Sequence, residues 1–260
     1  MVDESQVNKD YEQWLASERE FADSAYKATG QDLSISPHML LRYMRPVAKW
    51  DFRQAMVRGL GEIRGKKVLD FGCGMGEESM YLAKLGAHVT AIDISEVGID
   101  LTRKRSEFNK LPVRALVTDC LHSGLPGGTF DAVHCLGVLH HIGLEKGLVE
   151  THRMLKPGGR MVLAEHVSVS PVVEALRTRF GSEKTSDDEG PVPLTELLHL
   201  PVKIGFRVDA VSHFAIFYRL RSRVPVFGNV FFQKVDYALV NHVPGMKALA
   251  GCTVLALTKL

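Results

Sequence analysis

Short apolar runs alternate with amphipathic segments through the middle of the chain, between residues 67 and 168. Five runs, KVLDF, HVTAID, VRALVTD, FDAVHCLG and RMVLAEHVS, predict β-strands, the first of them buried on both faces. Helices are predicted from Glu77 to Leu85, from Ser95 to Asn109 and from Leu144 to Lys156, where Pro157 begins a turn. Strands and helices alternating at this spacing predict an α/β fold with a parallel, doubly wound sheet.

Two regions lie outside this alternation. Residues 1–60 are predicted to be helical, and Pro46 interrupts the second helix. After the fifth strand, PVVEALRTRF and LTELLHLPVKIG read as helices around the polar loop GSEKTSDDEG, and FRVDAVSHFAIFYRL and AGCTVLALTKL read as strands. An aromatic and basic insertion, 221–247, contains the predicted helix FFQKVDYALVNHV. One face of the first helix carries the apolar residues Tyr11, Trp14, Leu15, Phe21, Ala22 and Ala25.

These boundaries predict an N-terminal helical lid, 1–60, and a domain over 61–260 with cap insertions at about 170–205 and 221–247. Both the N-terminal segment and the second insertion carry apolar residues that need burial. We therefore expect them to cover the site at the strand tips. A dimer contact is the alternative for the stretch 227–243, because aromatic surfaces often mark interfaces.

Composition limits the class of protein. With 260 residues, 45% of them hydrophobic, and a net charge of +2, the chain has no electrostatic bias toward nucleic acid. Its four cysteines form no CxxC pair, so the sequence predicts reduced thiols and neither a disulfide framework nor a metal site. The polar, acidic N-terminus and the lack of a long apolar run predict a cytoplasmic protein without a membrane span.

The glycine-rich turn after the first strand, FGCGMG, has the layout of a nucleotide-binding βαβ unit. In a dinucleotide enzyme this turn binds a pyrophosphate at the start of the next helix, yet here Glu77 and Glu78 stand at that point. Carboxylates beside a pyrophosphate would repel it. The alternative for these two glutamates is compensation of the helix dipole in the first turn. In either case the sequence favours a ligand without phosphate.

S-adenosylmethionine is a ligand of that kind, because it carries a ribose, a sulfonium and an ammonium group. Asp70, at the tip of the first strand, is placed to face the ammonium directly or through water. Asp93, at the tip of the second strand, is expected to accept hydrogen bonds from both ribose hydroxyls. The cofactor predicted from these residues is S-adenosyl-L-methionine, with S-adenosyl-L-homocysteine as its product.

The motifs VLDFGCGMG, VTAIDIS, VTDC, FDAVHCLGVLHHI and LKPGGRMVLAEH occur in order between residues 60 and 168. Together they resemble the class I S-adenosylmethionine-dependent methyltransferases of the UbiE-like, generic small-molecule type. The resemblance implies a Rossmann-like sheet of seven strands. The sixth would lie near 206–220, and the antiparallel seventh, near 251–259, would insert between the fifth and the sixth. It also implies cofactor contacts from Asp70, Gly72, Cys73, Gly74, Asp93, Ile94, Asp119, Cys120 and Leu136, with the Asp119 carboxylate accepting from the adenine amine.

Methyl transfer needs alignment, exclusion of water and, for a hydroxyl or a protonated amine, a base. His140 and His141 follow the fourth strand, and Glu165 and His166 end the fifth, so all four are candidates for that base. The alternative for the His140–His141 pair is that it only shapes the cofactor pocket. His134, inside the fourth strand, is expected to be a core residue.

The predicted function is methyl transfer to an oxygen or nitrogen atom, or alternatively a carbon atom, of a small apolar or aromatic metabolite. A silent S-adenosylmethionine-binding module and a dinucleotide-dependent reductase are the rival functions. Nucleobase-amine methyltransferases are expected to carry an acidic or Asn-Pro-Pro-aromatic turn after strand four, and this chain has LGVLHH there. Its cysteines also do not match the thiolate ligands that an arsenite methyltransferase needs. We expect a monomer or homodimer with no nucleic-acid partner. Acceptor-pocket or cap-core roles stay open for the aromatic residues Tyr26, Tyr43, Trp50, Phe217, Tyr218, Phe231 and Phe232.

Overall fold

A computed structural model describes residues 4–28, 32–44, 50–168, 190–214 and 230–260. Its helices are α1 Glu4–Ala28, α2 Pro37–Met44, α3 Phe52–Leu60, α4 Glu77–Lys84, α5 Glu96–Asn109, α6 Leu139–Ile142, α7 Leu144–Met154, α8 Leu194–Ile204 and α9 Val230–His242, with a 3-10 turn at Met246–Leu249. Its strands are β1 Lys67–Phe71, β2 His88–Asp93, β3 Val113–Val117, β4 Phe130–Leu136, β5 Leu155–Ser168, β6 Val192–Pro193, β7 Phe206–Phe214 and β8 Cys252–Lys259.

The strands form one twisted sheet in the order β3-β2-β1-β4-β5-β8-β7. Strands β1 to β5 are parallel, and β8 is antiparallel to both β5 and β7. The predicted class I arrangement, with the last strand inserted between the fifth and the next, is therefore confirmed. A two-residue strand that the sequence did not predict, β6, also pairs with the end of β5.

Alternate residues of the central strands supply two apolar clusters on opposite faces of the sheet. On one face Met161, Leu163 and Leu255 pack with the α7 residue Leu148. On the other face, Val162 packs with the α3 and α4 side chains of the second cluster. Both faces are thus covered by helices, as in a doubly wound fold.

Local signals placed the helix ends well in the central part of the chain. The Ser95 hydroxyl accepts from the Gly98 N–H at 2.9 Å and caps α5, as the sequence predicted. Helix α4 ends at Lys84, one residue before the predicted Leu85, and Gly86 follows with a positive φ of 92°.

The predicted turn at Pro157 proves to be a wide irregularity inside β5. Helix α7 ends at Met154 rather than Lys156, and Leu155 already pairs with Phe130. The next pair joins Ala132 to Arg160, so β5 advances five residues while β4 advances two. Proline has no N–H for the ladder, and the intervening residues therefore loop out.

Several predicted segments fall outside the described residues. These are the helix PVVEALRTRF, most of the loop GSEKTSDDEG, Pro46, and the end of the predicted sixth strand beyond Phe214. The helix of the second insertion is present as α9, and it packs against β7. None of the described helices is both long and apolar enough to cross a membrane.

Candidate functional site

A cavity of about 200 Å³ lies at the carboxyl ends of the parallel strands, beneath helix α1. Its floor comes from the glycine turn, the tips of β2 and β4 and the loop after β3, and its roof comes from one face of α1. The residues that line it are Trp14, Leu15, Glu18, Phe21, Ala22, Ala25, Tyr26, Gly72, Asp93, Ile94, Asp119, Cys120, Leu136, Gly137, Val138, His141 and Ile142.

The glycine turn forms part of the cavity floor, and its backbone conformation and close contacts require glycine. Gly72 and Gly74 have φ values of 73° and 51°. A Cβ on Gly72 would lie 2.3 Å from the Val138 side chain, and one on Gly74 would lie 2.9 Å from the Tyr26 hydroxyl. A side chain at either position would push the β4 loop or helix α1 away from the turn.

Asp93 joins the turn to the tip of β2. Its two carboxylate oxygens accept the backbone N–H groups of Gly74 at 2.8 Å and Ser95 at 2.9 Å. Burial raises the pKa of Asp93, and these backbone hydrogen bonds oppose the rise. Each carboxylate oxygen has a second lone pair, so Asp93 can accept two further hydrogen bonds from a ligand in the cavity.

Asp119 faces the cavity from the loop after β3, with its carboxylate already in use. Oδ1 accepts the Leu121 N–H at 2.8 Å. Oδ2 accepts the Tyr11 hydroxyl at 2.7 Å and lies 2.6 Å from His122 Nδ1. One lone pair of Oδ1 is left for a ligand donor while α1 stays in this position.

Asp70, which was predicted to face the ammonium directly or through water, is not among the residues that line the cavity. It is 2% exposed; one oxygen accepts the Ser79 hydroxyl at 2.5 Å, and the other lies 2.9 Å from His134 Nδ1. His134 is also buried, and no described residue is a hydrogen-bond partner of its Nε2 atom. Asp70 and His134 thus form a buried pair beneath the turn.

The two glutamates at the start of α4 also point away from the cavity. Glu78 pairs with Arg53 of α3 at 2.5 Å, and Glu77 lies 3.2 Å from Arg105 of α5. Their charges are balanced by arginines, so they say nothing about the ligand's charge. The carboxylates that do face the cavity are Glu18, Asp93 and Asp119.

Glu165 organises the loop after β4. Its side chain is fully buried, and one oxygen accepts the N–H groups of Val138 at 3.0 Å and Leu139 at 2.7 Å. The other oxygen lies 2.7 Å from His140 Nδ1. These contacts hold the single turn of α6, which the sequence did not predict as a helix.

His141 is the one base candidate among the four that lines the cavity. Its Nδ1 lies 3.2 Å from the Glu18 carboxylate of α1, and its ring lies 4.1 Å from that of His140. His166 does not line the cavity, and its Nδ1 lies 3.4 Å from the Gly251 carbonyl oxygen. The structure therefore separates the four candidates, with one lining the cavity and three packed behind it.

Residues 69–163 match the profile of the methyltransferase domain family. That span begins at β1 and runs through the glycine turn, Asp93, Asp119 and the His140–His141 loop. This part of the chain, residues 69–163, is therefore similar to that methyltransferase domain.

Curated relatives are similar to this chain over part of their length. The mitochondrial ubiquinone biosynthesis O-methyltransferase of Schizosaccharomyces pombe is 34% identical over 129 residues, which cover 48% of this chain and 46% of the relative. An S-adenosyl-L-methionine-dependent Diels-Alderase of Talaromyces variabilis is 34% identical over 154 residues, 57% of this chain and 49% of the relative. The chain thus spans about half the length of these relatives.

Among solved structures, the fold matches geranyl diphosphate C-methyltransferase of Streptomyces coelicolor, crystallised with Mg²⁺, geranyl diphosphate and S-adenosyl-L-homocysteine. The TM-score is 0.57 at 16% identity, and the match covers 80% of this chain and 78% of the other. At this identity the likeness shows the fold alone.

Six of the nine residues predicted to contact the cofactor line the cavity. They are Gly72, Asp93, Ile94, Asp119, Cys120 and Leu136. Asp70, Cys73 and Gly74 lie behind its surface. Cys120 lines the cavity, and burial raises the pKa of its thiol well above the usual value.

Sequence reasoning missed the polar α1 residues that close the cavity. The Tyr11 hydroxyl donates a hydrogen bond to Asp119, and the Glu18 carboxylate pairs with His141. Asp23 accepts a hydrogen bond from the Ser95 hydroxyl at the start of α5. The apolar face predicted for α1 was the available signal, because five of its six residues line the cavity. The aromatic residues for which an acceptor-pocket role was left open lie in different places. Tyr26 lines the cavity, whereas Tyr43 stacks on Tyr81. Phe217 and Tyr218 lie outside the described residues.

Proposed function

We propose that this protein transfers a methyl group from S-adenosyl-L-methionine to an oxygen, nitrogen or carbon atom of a small apolar or aromatic metabolite. The observation that carries the proposal is the charge of the cavity. Three carboxylates, Glu18, Asp93 and Asp119, face it, and no lysine or arginine is among the described residues that line it. Such a wall attracts a sulfonium and an ammonium and repels a pyrophosphate.

Each wall of the cavity has a part in binding. Asp93 keeps two lone pairs for the ribose diol, and Asp119 keeps one for the adenine amine. Gly72 and Leu136 border the region assigned to the methionine part. When bound, the cofactor supplies an activated methyl group, and the protein's contribution is alignment and exclusion of water.

His141 is the base that we favour. It lines the cavity, and the Glu18 carboxylate beside Nδ1 favours a proton there, which leaves Nε2 able to accept one. The apolar wall contributed by Trp14, Phe21 and Ile142 suits an apolar or aromatic acceptor.

We also propose that the N-terminal segment, 1–60, carries a lid over a domain formed by 61–260, with α1 as the covering part because α3 packs against the sheet. The cavity is smaller than the roughly 300–1,000 Å³ of ordinary ligand sites, and α1 supplies its roof. A cofactor and an acceptor would therefore enter only when α1 moves away from the cavity. The described part of the second insertion, 230–247, adds no residue to the cavity wall.

Calorimetry with S-adenosyl-L-homocysteine and with NAD tests the cofactor. We expect binding of the first and none of the second, and NAD binding without S-adenosyl-L-homocysteine binding would contradict the proposal. Incubation with methyl-labelled cofactor and a fractionated metabolite extract then tests transfer. Binding of the cofactor without transfer to any fraction would favour a module that binds but does not methylate.

Light scattering during gel filtration tests the assembly, for which we expect a monomer or homodimer. A cytoplasmic location, with no nucleic-acid partner, completes the proposal. Fluorescence microscopy of the tagged full chain would check the location.

A further inference from the structure

Glu165 makes three hydrogen bonds from a fully buried position, and all three end on the loop that carries the paired histidines. Val138 and Leu139 present the first backbone N–H groups of α6, which have no partner within a helix of one turn. Glu165, from the neighbouring strand β5, takes the place of a capping residue. The loop is therefore fixed to the sheet through one carboxylate.

The third hydrogen bond determines where the proton of His140 lies. Nδ1 of His140 is 2.7 Å from Glu165 Oε2, and a carboxylate oxygen only accepts. The proton must then be on Nδ1, and in the neutral ring Nε2 carries a free lone pair. Cε1, the ring carbon between the two nitrogens, lies 3.9 Å from where a Cβ would stand on Gly137, a residue of the cavity wall.

We propose that Glu165 is a positioning residue that holds His140 as the Nδ1–H tautomer and so leaves a basic Nε2 on the ring that packs beside His141. This inference rests on the proposed methyltransferase function, and it removes Glu165 from the candidates for the base itself. The two rings lie 4.1 Å apart, so the position of His140 also fixes that of His141.

A purely structural capping role is the competing explanation, and Glu165→Gln separates the two. The glutamine side chain has the same shape, and its carbonyl oxygen can still accept both backbone N–H groups. Its amide, however, donates to His140 Nδ1 and forces the proton onto Nε2. An acid-to-amide replacement beside a histidine changes the tautomer of the ring and leaves its geometry.

The test uses the full chain labelled with ¹⁵N-histidine, saturated with S-adenosyl-L-homocysteine, and the signal of His140 is assigned with His140→Gln. We expect the Nδ1–H tautomer in the wild type and the Nε2–H tautomer in Glu165→Gln. Glu145→Gln, a matched change at an exposed glutamate of α7, should leave the wild-type spectrum unchanged. A wild-type His140 with its proton on Nε2, or one tautomer in both proteins, would overturn the inference.

Two further measurements separate this inference from the proposed function. Affinity for S-adenosyl-L-homocysteine should differ by less than about twofold between the wild type and Glu165→Gln. Methyl transfer to the extract fraction that the wild type labels should fall by about a hundredfold in Glu165→Gln and stay unchanged in Glu145→Gln. Equal transfer rates with exchanged tautomers would also overturn it. No binding of the ligand by the wild type would instead refute the proposed function. The wild-type spectrum, recorded without ligand, decides the tautomer in that case and also if Glu165→Gln does not fold.

Discussion

Asp93 combines two tasks that are usually described separately. It holds the glycine turn through the Gly74 N–H and the start of α5 through the Ser95 N–H, and it still faces the cavity. A ligand that binds Asp93 therefore also stabilises the turn below it. The sequence predicted the contact with the ligand but not the structural task.

Asp93→Asn should weaken binding of S-adenosyl-L-homocysteine by about tenfold or more, because the amide cannot accept from two hydroxyls through both of its polar atoms. Asparagine keeps the size of the side chain and one acceptor, so the fold should survive. Calorimetry measures the affinity for S-adenosyl-L-homocysteine, and circular dichroism measures whether the fold survives. Asp100→Asn, at an exposed position of α5, is the control and should bind normally. An unchanged dissociation constant would place the ribose elsewhere.

The buried pair beneath the turn should make stability depend on pH. Burial lowers the pKa of His134, but the Asp70 carboxylate raises it more, and the net direction is upward. A histidine with a raised pKa stabilises the fold fully below its unfolded pKa of about 6.5, and the contribution is lost as the pH rises through the folded pKa.

His134→Leu leaves the Asp70 carboxylate buried with one partner fewer and should lower the free energy of unfolding by about 3 kcal/mol at pH 6. The difference from the wild type should narrow as the pH is raised to about 9. Urea denaturation across this range measures it. His88→Leu, at an exposed position of β2, is the matched control. A gap that does not change with pH would show that His134 stays neutral.

Helix α1 shows what one element can and cannot reveal from its own sequence. Its apolar face was recognisable at helical spacing, whereas its anchors are polar residues whose partners lie far along the chain. Asp23 accepts from the Ser95 hydroxyl and, at 3.2 Å, from the Val97 N–H, both at the start of α5. Tyr26 lies against the glycine turn.

Asp23→Ala should loosen α1 without disturbing the sheet, because it removes an acceptor shared by two donors of α5. We expect amide hydrogen exchange in α1 of the free protein to rise about tenfold, and exchange in β1 and β4 to stay as it was. Glu20→Ala, at an exposed position on the same helix, is the control. If α1 exchanges equally in both variants, Asp23 is not an anchor.

The difference between what could and could not be predicted follows sequence distance. The strands, the glycine turn and the Ser95 cap depend on neighbouring residues, so a local pattern is enough to find them. The bond from Glu165 to His140 spans 25 residues, and that from Tyr11 to Asp119 spans 108. Nothing in the composition of either segment identifies its partner. For the same reason the contacts of Asp70 with Ser79 and His134 were not predicted.

At the scale of the molecule, β8 is the strand on which the second half of the sheet depends. It pairs with β5 from Arg160 to His166 and with β7 from Phe206 to Phe214. Its central side chains, Val254 to Leu257, are at most 4% exposed. Without β8, strands β5 and β7 would each lose the neighbour between them, and the core would be open at that point.

A chain that stops at Gly251 should therefore fail to fold cooperatively. Burial of the valine and two leucines of β8 alone contributes about 6 kcal/mol, which is comparable with the whole stability of a typical domain. Thermal unfolding followed by circular dichroism, together with binding of a hydrophobic dye, measures the loss. Removal of Leu260 alone, which is 73% exposed, is the control and should unfold like the full chain. A sharp transition in the shorter protein would contradict this view.

The position of β8 also has a consequence during synthesis on the ribosome. Strands β1 to β5 emerge in an order that lets neighbours pair soon after they leave the exit tunnel. The edge of β5 has no lasting partner until residue 259 has been translated and released. Until then the nascent chain exposes an unpaired, apolar strand edge, which is the kind of surface that chaperones protect from aggregation.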